Sequence, residues 1–89
     1  MSELISDLFR SSRQRGLSHE DSVNRVYQAG VLSSSKPKHL SSEELADGHT
    51  IYIMGTITGL SPNEALDEVF LAGYHAATTG AFGELEAAL

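Results

Sequence analysis

The sequence predicts an all-α domain, a small bundle of two helical hairpins related by an internal pseudo-repeat and followed by a short C-terminal turn. Three observations predict it. The stretch Gly16-Leu17-Ser18 through Gly30 returns, altered, as Gly59-Leu60-Ser61 through Gly73, at an offset of 43 positions. Val26 then matches Val69, Tyr27 matches Phe70, and Ala29-Gly30 matches Ala72-Gly73. Ser residues able to cap a helix open four segments, at Ser2, Ser18, Ser41 and Ser61, and apolar residues recur at helical spacing. A repeated unit that cannot bury its own apolar side must stack on its copy. The expected organisation is one domain: repeat 1 over 1–31, a linker over 32–41, repeat 2 over 42–80 and a tail over 81–89.

The first helix is expected from Ser2 to Gln14. Leu4, Ile5, Leu8 and Phe9 form its apolar stripe, and Gly16 ends it, because glycine tolerates the left-handed conformation that closes a helix. The second helix runs from His19 to Ala29. Ser18 is its N-cap, and Asp21 takes the third helical position, where Glu or Gln is the usual capping-box partner. Val23, Val26, Tyr27 and Gly30 share a face, with Arg25 and Gln28 turned away from it. The segment from Leu32 to Ser42 is rich in Ser and contains Lys36-Pro37-Lys38. It reads as a linker, since proline fixes φ and lacks a donor.

The third helix starts at Ser41, with Glu44 completing a capping box, and ends near Thr58. Thr50, Ile51, Tyr52, Ile53, Thr56, Ile57 and Thr58 favour strand when read alone. Helix is preferred because the matching segment of the first repeat is helical in pattern. A lone strand would also leave its backbone groups without partners. The fourth helix has Ser61 as N-cap, Pro62 at its first position and Glu64 at its third, and all three preferences agree. Leu66, Val69, Phe70, Gly73 and Ala77 make its core stripe. Gly80 stops it, and Glu84 to Leu89 form a last turn. The expected core draws on Leu4, Leu8, Phe9, Val23, Val26, Tyr27, Ile51, Met54, Leu66, Val69, Phe70 and Gly73.

Eighty-nine residues make one domain. A chain this short buries only roughly 60–65% of its unfolded surface, so self-association would help it. There is no cysteine, which excludes disulfides and thiolate metal sites. The N-terminus has no signal-peptide pattern, so a cytoplasmic location is expected. The apolar stretch around Ile51 to Ile57 falls well short of the ~20 residues that span a bilayer, and no membrane partner is expected.

The formal net charge of −6 is unevenly spread. Residues 1–38 hold six bases and four acids, whereas residues 39–89 hold eight acids and neither Lys nor Arg. Such an acidic half repels nucleic-acid phosphates and suits a basic protein surface. The helix–Gly-Leu-Ser–helix pattern also occurs in helix-turn-helix DNA-binding domains, the alternative reading. Its reading helices would then present Asn63, Glu64, Asp67 and Glu68, or His19, Glu20 and Asp21, to bases. Those carboxylates oppose DNA, so no nucleic acid is expected.

No metal, cofactor or enzymatic activity is expected either. The histidines are His19, His39, His49 and His75, and no pair lies four apart. A metal site would need His49 and His75 to approach, with Asp47 or Glu68 completing it. The sequence has no Gly-x-Ser-x-Gly elbow and no phosphate-cradling loop. The most specific feature lies on the fourth helix. At 100° per residue, Leu71 falls opposite the core stripe, ringed by Glu64, Asp67, Glu68 and His75 with Tyr74 at its flank. An apolar anchor within a polar rim is the layout of a protein interface. The partner-binding residues are therefore expected to be Glu64, Asp67, Glu68, Leu71 and Tyr74. The competing account has Phe82 folding back over Leu71. Arg10, Arg13 and Arg15 end the first helix, where cations suit its dipole. They could also meet an acidic face on a second copy, giving a head-to-tail homodimer.

Overall fold

The computed structural model describes residues 2–34 and 40–78, which form α1 (Ser2–Gln14), α2 (His19–Leu32), α3 (Ser42–Ile57) and α4 (Pro62–Thr78). The fold is all-α, and no described residue is in a strand. The expected stop at Gly80 and the turn at Glu84 to Leu89 lie outside the described residues. So do Lys36, Pro37 and Lys38 of the expected linker.

Local chemistry sets the helix ends. Gly16 and Gly59 sit at φ 92° and 105°, where a Cβ would be strained. After each, the chain closes in the same way. Leu17 N–H donates to Ser12 O at 3.2 Å and Gly16 N–H to Arg13 O at 3.0 Å. Leu60 N–H donates to Gly55 O at 3.0 Å and Gly59 N–H to Thr56 O at 3.2 Å. This paired closure satisfies carbonyls that the helix end leaves open. Ser41 and Ser61 then open α3 and α4 with full capping boxes. Each Ser N–H donates to a Glu carboxylate, Glu44 or Glu64, at 3.0 Å. Each Glu N–H donates back to the Ser Oγ, at 3.3 and 3.2 Å. Ser18 accepts from Asp21 N–H at 3.0 Å, but the shorter Asp side chain makes no return bond, so that box is half built.

α2 and α4 make the most extensive contact, and α1 and α3 each pack against both. The crossing depends on two glycines. A methyl group at Gly30 would overlap the Phe70 carbonyl oxygen, and one at Gly73 would overlap the Tyr27 carbonyl oxygen. The same methyls would lie 3.1 Å from Tyr74 N and 3.2 Å from Val31 N. The contacts are reciprocal: each glycine meets the backbone three residues before, and one residue after, the other glycine. Two helix backbones touch here with no side chain between them. Val23, Val26, Val31 and Val69 are fully buried around the crossing.

The core differs from the sequence expectation at two positions. Leu4 is 74% exposed and Met54 is 56% exposed. α1 instead turns Ile5, Leu8, Phe9 and Ser12 inward. Ser12 is small, and its hydroxyl donates to Leu8 O at 2.8 Å, so it can be buried without cost to its polar group. α3 turns Leu45, Gly48, Ile51, Tyr52 and Gly55 inward, with Gly48 against Tyr27. Met54 lies on the far side. α3 is apolar nearly all round between Thr50 and Ile57, so composition does not say which side is buried. Ala65, Val31 and Tyr52 are buried additions to the expected core, and Ala77 is buried as its place in the fourth-helix stripe predicts. α2 also runs to Leu32, past the expected Ala29, because Gly30 serves the crossing and does not end the helix.

Gly30→Ala and Gly73→Ala should each cost about 2 kcal/mol or more, since backbone cannot yield as a side chain can. That loss should appear although alanine favours an exposed helix by about 1 kcal/mol over glycine. Urea unfolding midpoints check it, with Gly16→Ala as a comparison that meets no neighbour and is strained only by its φ.

Candidate functional site

The outer side of α4 carries every residue expected to bind a partner. Glu64, Glu68, Leu71 and Tyr74 are exposed and Asp67 is half-buried. Leu71 is 41% exposed and Tyr74 37%, so both present apolar surface among the carboxylates. The face exists because Ala65, Leu66, Val69, Gly73 and Ala77 take the opposite side of the helix into the core. At 1.5 Å per residue it extends about 15 Å from Glu64 to Tyr74. The Tyr74 and His75 rings stand edge to face at 5.9 Å. Tyr74 is also anchored at its backbone, which abuts Gly30 at the helix crossing. Phe82, the competing cover for Leu71, lies outside the described residues.

Glu64 contributes in two ways. Its carboxylate accepts the Ser61 hydrogen bond of the capping box, which holds its pKa below the ordinary value. It is also fully in water, so its charge stays available at neutral pH. Neither α3 nor α4 contains a Lys or Arg to neutralise this surface. Arg10 pairs with Asp7 at 3.3 Å on α1, exposed on both sides and of little energetic weight.

The starts of the two helices that follow the tight turns are acidic and exposed: Glu20 and Asp21 on α2, Glu64 on α4. An open groove of about 740 Å³ lies beside α2, with Leu17, Leu32, Leu40 and Leu45 along it and Glu20, Asp21 and Arg25 at its edges. The sequence reading missed this groove. Leu32 and Leu40 fall in what reads as linker, and only the fold brings them beside Leu45.

The histidines are arranged differently from the metal-site expectation. The His49 ring lies 6.2 Å from that of His19. His19 also packs edge-on against Phe9 at 5.3 Å and Tyr52 at 5.0 Å. Among the described residues, no three His, Asp or Glu side chains converge to hold a metal ion, and no helix is long and apolar enough to cross a membrane. No protein-family model, curated protein or solved structure matches this chain.

The aromatic packing gives His19 a measurable signature. Partial burial beside Phe9 and Tyr52 holds its pKa below the ordinary value, and the neighbouring His49 and Arg13 add to the effect. A lowered histidine pKa stabilises the fold above the unfolded value, about 6.5, and this contribution is lost as pH falls through the folded value. The urea midpoint should therefore hold steady above about pH 7 and drop as pH falls below about 6.5, before most carboxylates titrate. His19→Gln should flatten that drop, and His49→Gln should shrink it. Paired urea titrations across this range, with NMR titration of the His19 ring, test the assignment.

Proposed function

We propose that this chain is a small acidic protein–protein interaction module, an adaptor or inhibitor that docks the outer side of α4 on a basic protein surface. The observation that carries the reading is the exposure of Leu71 and Tyr74 within a rim of Glu64, Asp67 and Glu68, on a half of the chain without Lys or Arg. Desolvating an apolar anchor supplies affinity, and the carboxylate rim supplies orientation and a faster encounter with a cationic partner. In its most concrete form, the module blocks a nucleic-acid-binding protein by placing carboxylates where phosphates would sit. The mechanism is steric and electrostatic and needs no catalytic group, metal or cofactor. The acidic starts of α2 and α4 argue against the helix-turn-helix alternative, because phosphate contact supplies most of the affinity in such complexes. A mobility-shift assay with random duplex DNA at low salt should show no binding.

Capture from native host lysate should retain a basic protein, and Leu71→Glu should release it. Reversing Asp67 and Glu68 to Lys should weaken binding to that protein by about tenfold at low salt and less at high salt, as screening removes the rim's contribution. Equal affinity of wild-type and variant protein in both salts would remove the electrostatic part of the mechanism.

A further inference from the structure

A second surface lies on α3. Its outer side carries Glu43, Asp47, Thr50, Ile53, Met54 and Ile57, all exposed. The side divides sharply by chemistry. Both carboxylates lie in the N-terminal half. The C-terminal half is uncharged, and a run with no Asp, Glu, Lys, Arg or His continues from Thr50 to Asn63. Ile53 is 40% exposed, Met54 56% and Ile57 72%. Singly scattered apolar residues are ordinary on a surface, but three large ones sharing one helix side form a patch that favours a partner.

We propose that this patch is the contact of a homodimer, in which α3 packs antiparallel against α3 of a second copy about a two-fold axis near Met54. Charge selects the occupant. The chain carries a net −6, so two copies meeting through α4 or the start of α2 would bring carboxylates together. The uncharged half of α3 lets them meet without that repulsion. Charge also selects the orientation. Antiparallel packing sets Ile53, Met54 and Ile57 against the same residues of the partner. It carries Glu43 and Asp47 past the end of the partner's α3, towards the uncharged turn. Parallel packing would stack Glu43 on Glu43 and Asp47 on Asp47. A self-complementary patch of this kind closes with two copies.

A patch of three large side chains is modest beside the roughly 20 residues a side of a standard stable interface, so the dimer is weak and concentration-dependent. It uses a different helix from the proposed acidic docking face, and the two readings stand or fall separately. It also differs from the head-to-tail pairing suggested by the arginines at the end of α1, which would weaken with salt.

Sedimentation equilibrium of the full chain, from about 5 µM to about 500 µM, should show the mass rising from one copy towards two, because association follows mass action. The rise should persist at high salt. Ile57→Glu should abolish it while leaving the helical circular dichroism unchanged, since Ile57 is mostly in water. The chain has no cysteine, so single thiols report geometry cleanly. Met54→Cys should give a disulfide-linked dimer on mild oxidation, and Asp47→Cys should not. A monomer across the whole range, or a dimer indifferent to Ile57→Glu, overturns the proposal. Efficient cross-linking through Asp47→Cys overturns the antiparallel arrangement.

Discussion

The direct contact of two helix backbones, Gly30 on the Phe70 carbonyl and Gly73 on the Tyr27 carbonyl, is the constraint on which the rest of the structure depends. Absence of a Cβ at both points lets α2 and α4 approach closely. That proximity seals Val23, Val26, Val31 and Val69 from water with valine-sized side chains. In a domain this small, burial per residue is limited, so a close crossing is an efficient use of a short sequence. α1 and α3 then cover what the central pair leaves open. Placing the inward side of α4 at the crossing necessarily turns Glu64, Glu68, Leu71 and Tyr74 outward.

The same constraint separates the two surfaces for which contacts are proposed. α4 packs along its length through Ala65, Leu66, Val69, Gly73 and Ala77, and the Tyr74 backbone lies beside Gly30, so the acidic face is carried on a helix whose other side is buried. α3 meets the core through Leu45, Gly48, Ile51, Tyr52 and Gly55, with Gly48 against Tyr27 and Tyr52 beside His19. Its β-branched residues are left to divide between the half-buried Ile51 and the exposed Ile53 and Ile57. One surface is charged and suited to an unlike, cationic partner. The other is neutral and suited to a like one.

Much of this was legible before folding was considered. The capping boxes at Ser41–Glu44 and Ser61–Glu64, and the glycine stops at Gly16 and Gly59, are local chemistry, so the helix boundaries beside them could be read directly. The outward position of Leu71 followed from the strong stripe of Leu66, Val69, Phe70 and Gly73. Reading failed where that contrast was missing. Leu4 and Ile5 are neighbours of equal hydrophobicity, and only packing chose Ile5. Between Thr50 and Ile57 nearly every side chain is apolar, so Met54 carried no sign of its exposure. The proximity of His19 to His49 lay beyond any spacing rule, because it joins the start of α2 to the middle of α3.

By itself, the sequence determined the all-α class, where the helices capped by Ser41 and Ser61 begin, which tight turns stop their predecessors, and the acidity of the second half. These depend on groups within a few residues of one another, whose hydrogen bonds and φ preferences act before any tertiary contact forms. Tertiary structure alone decided that Gly30 and Gly73 are paired contact points, that Ser12 is inside and Leu4 outside, and that α3 shows an uncharged patch to water. Those outcomes turn on which side of each helix meets another backbone. That is a matter of close packing between distant segments, and no local preference encodes it.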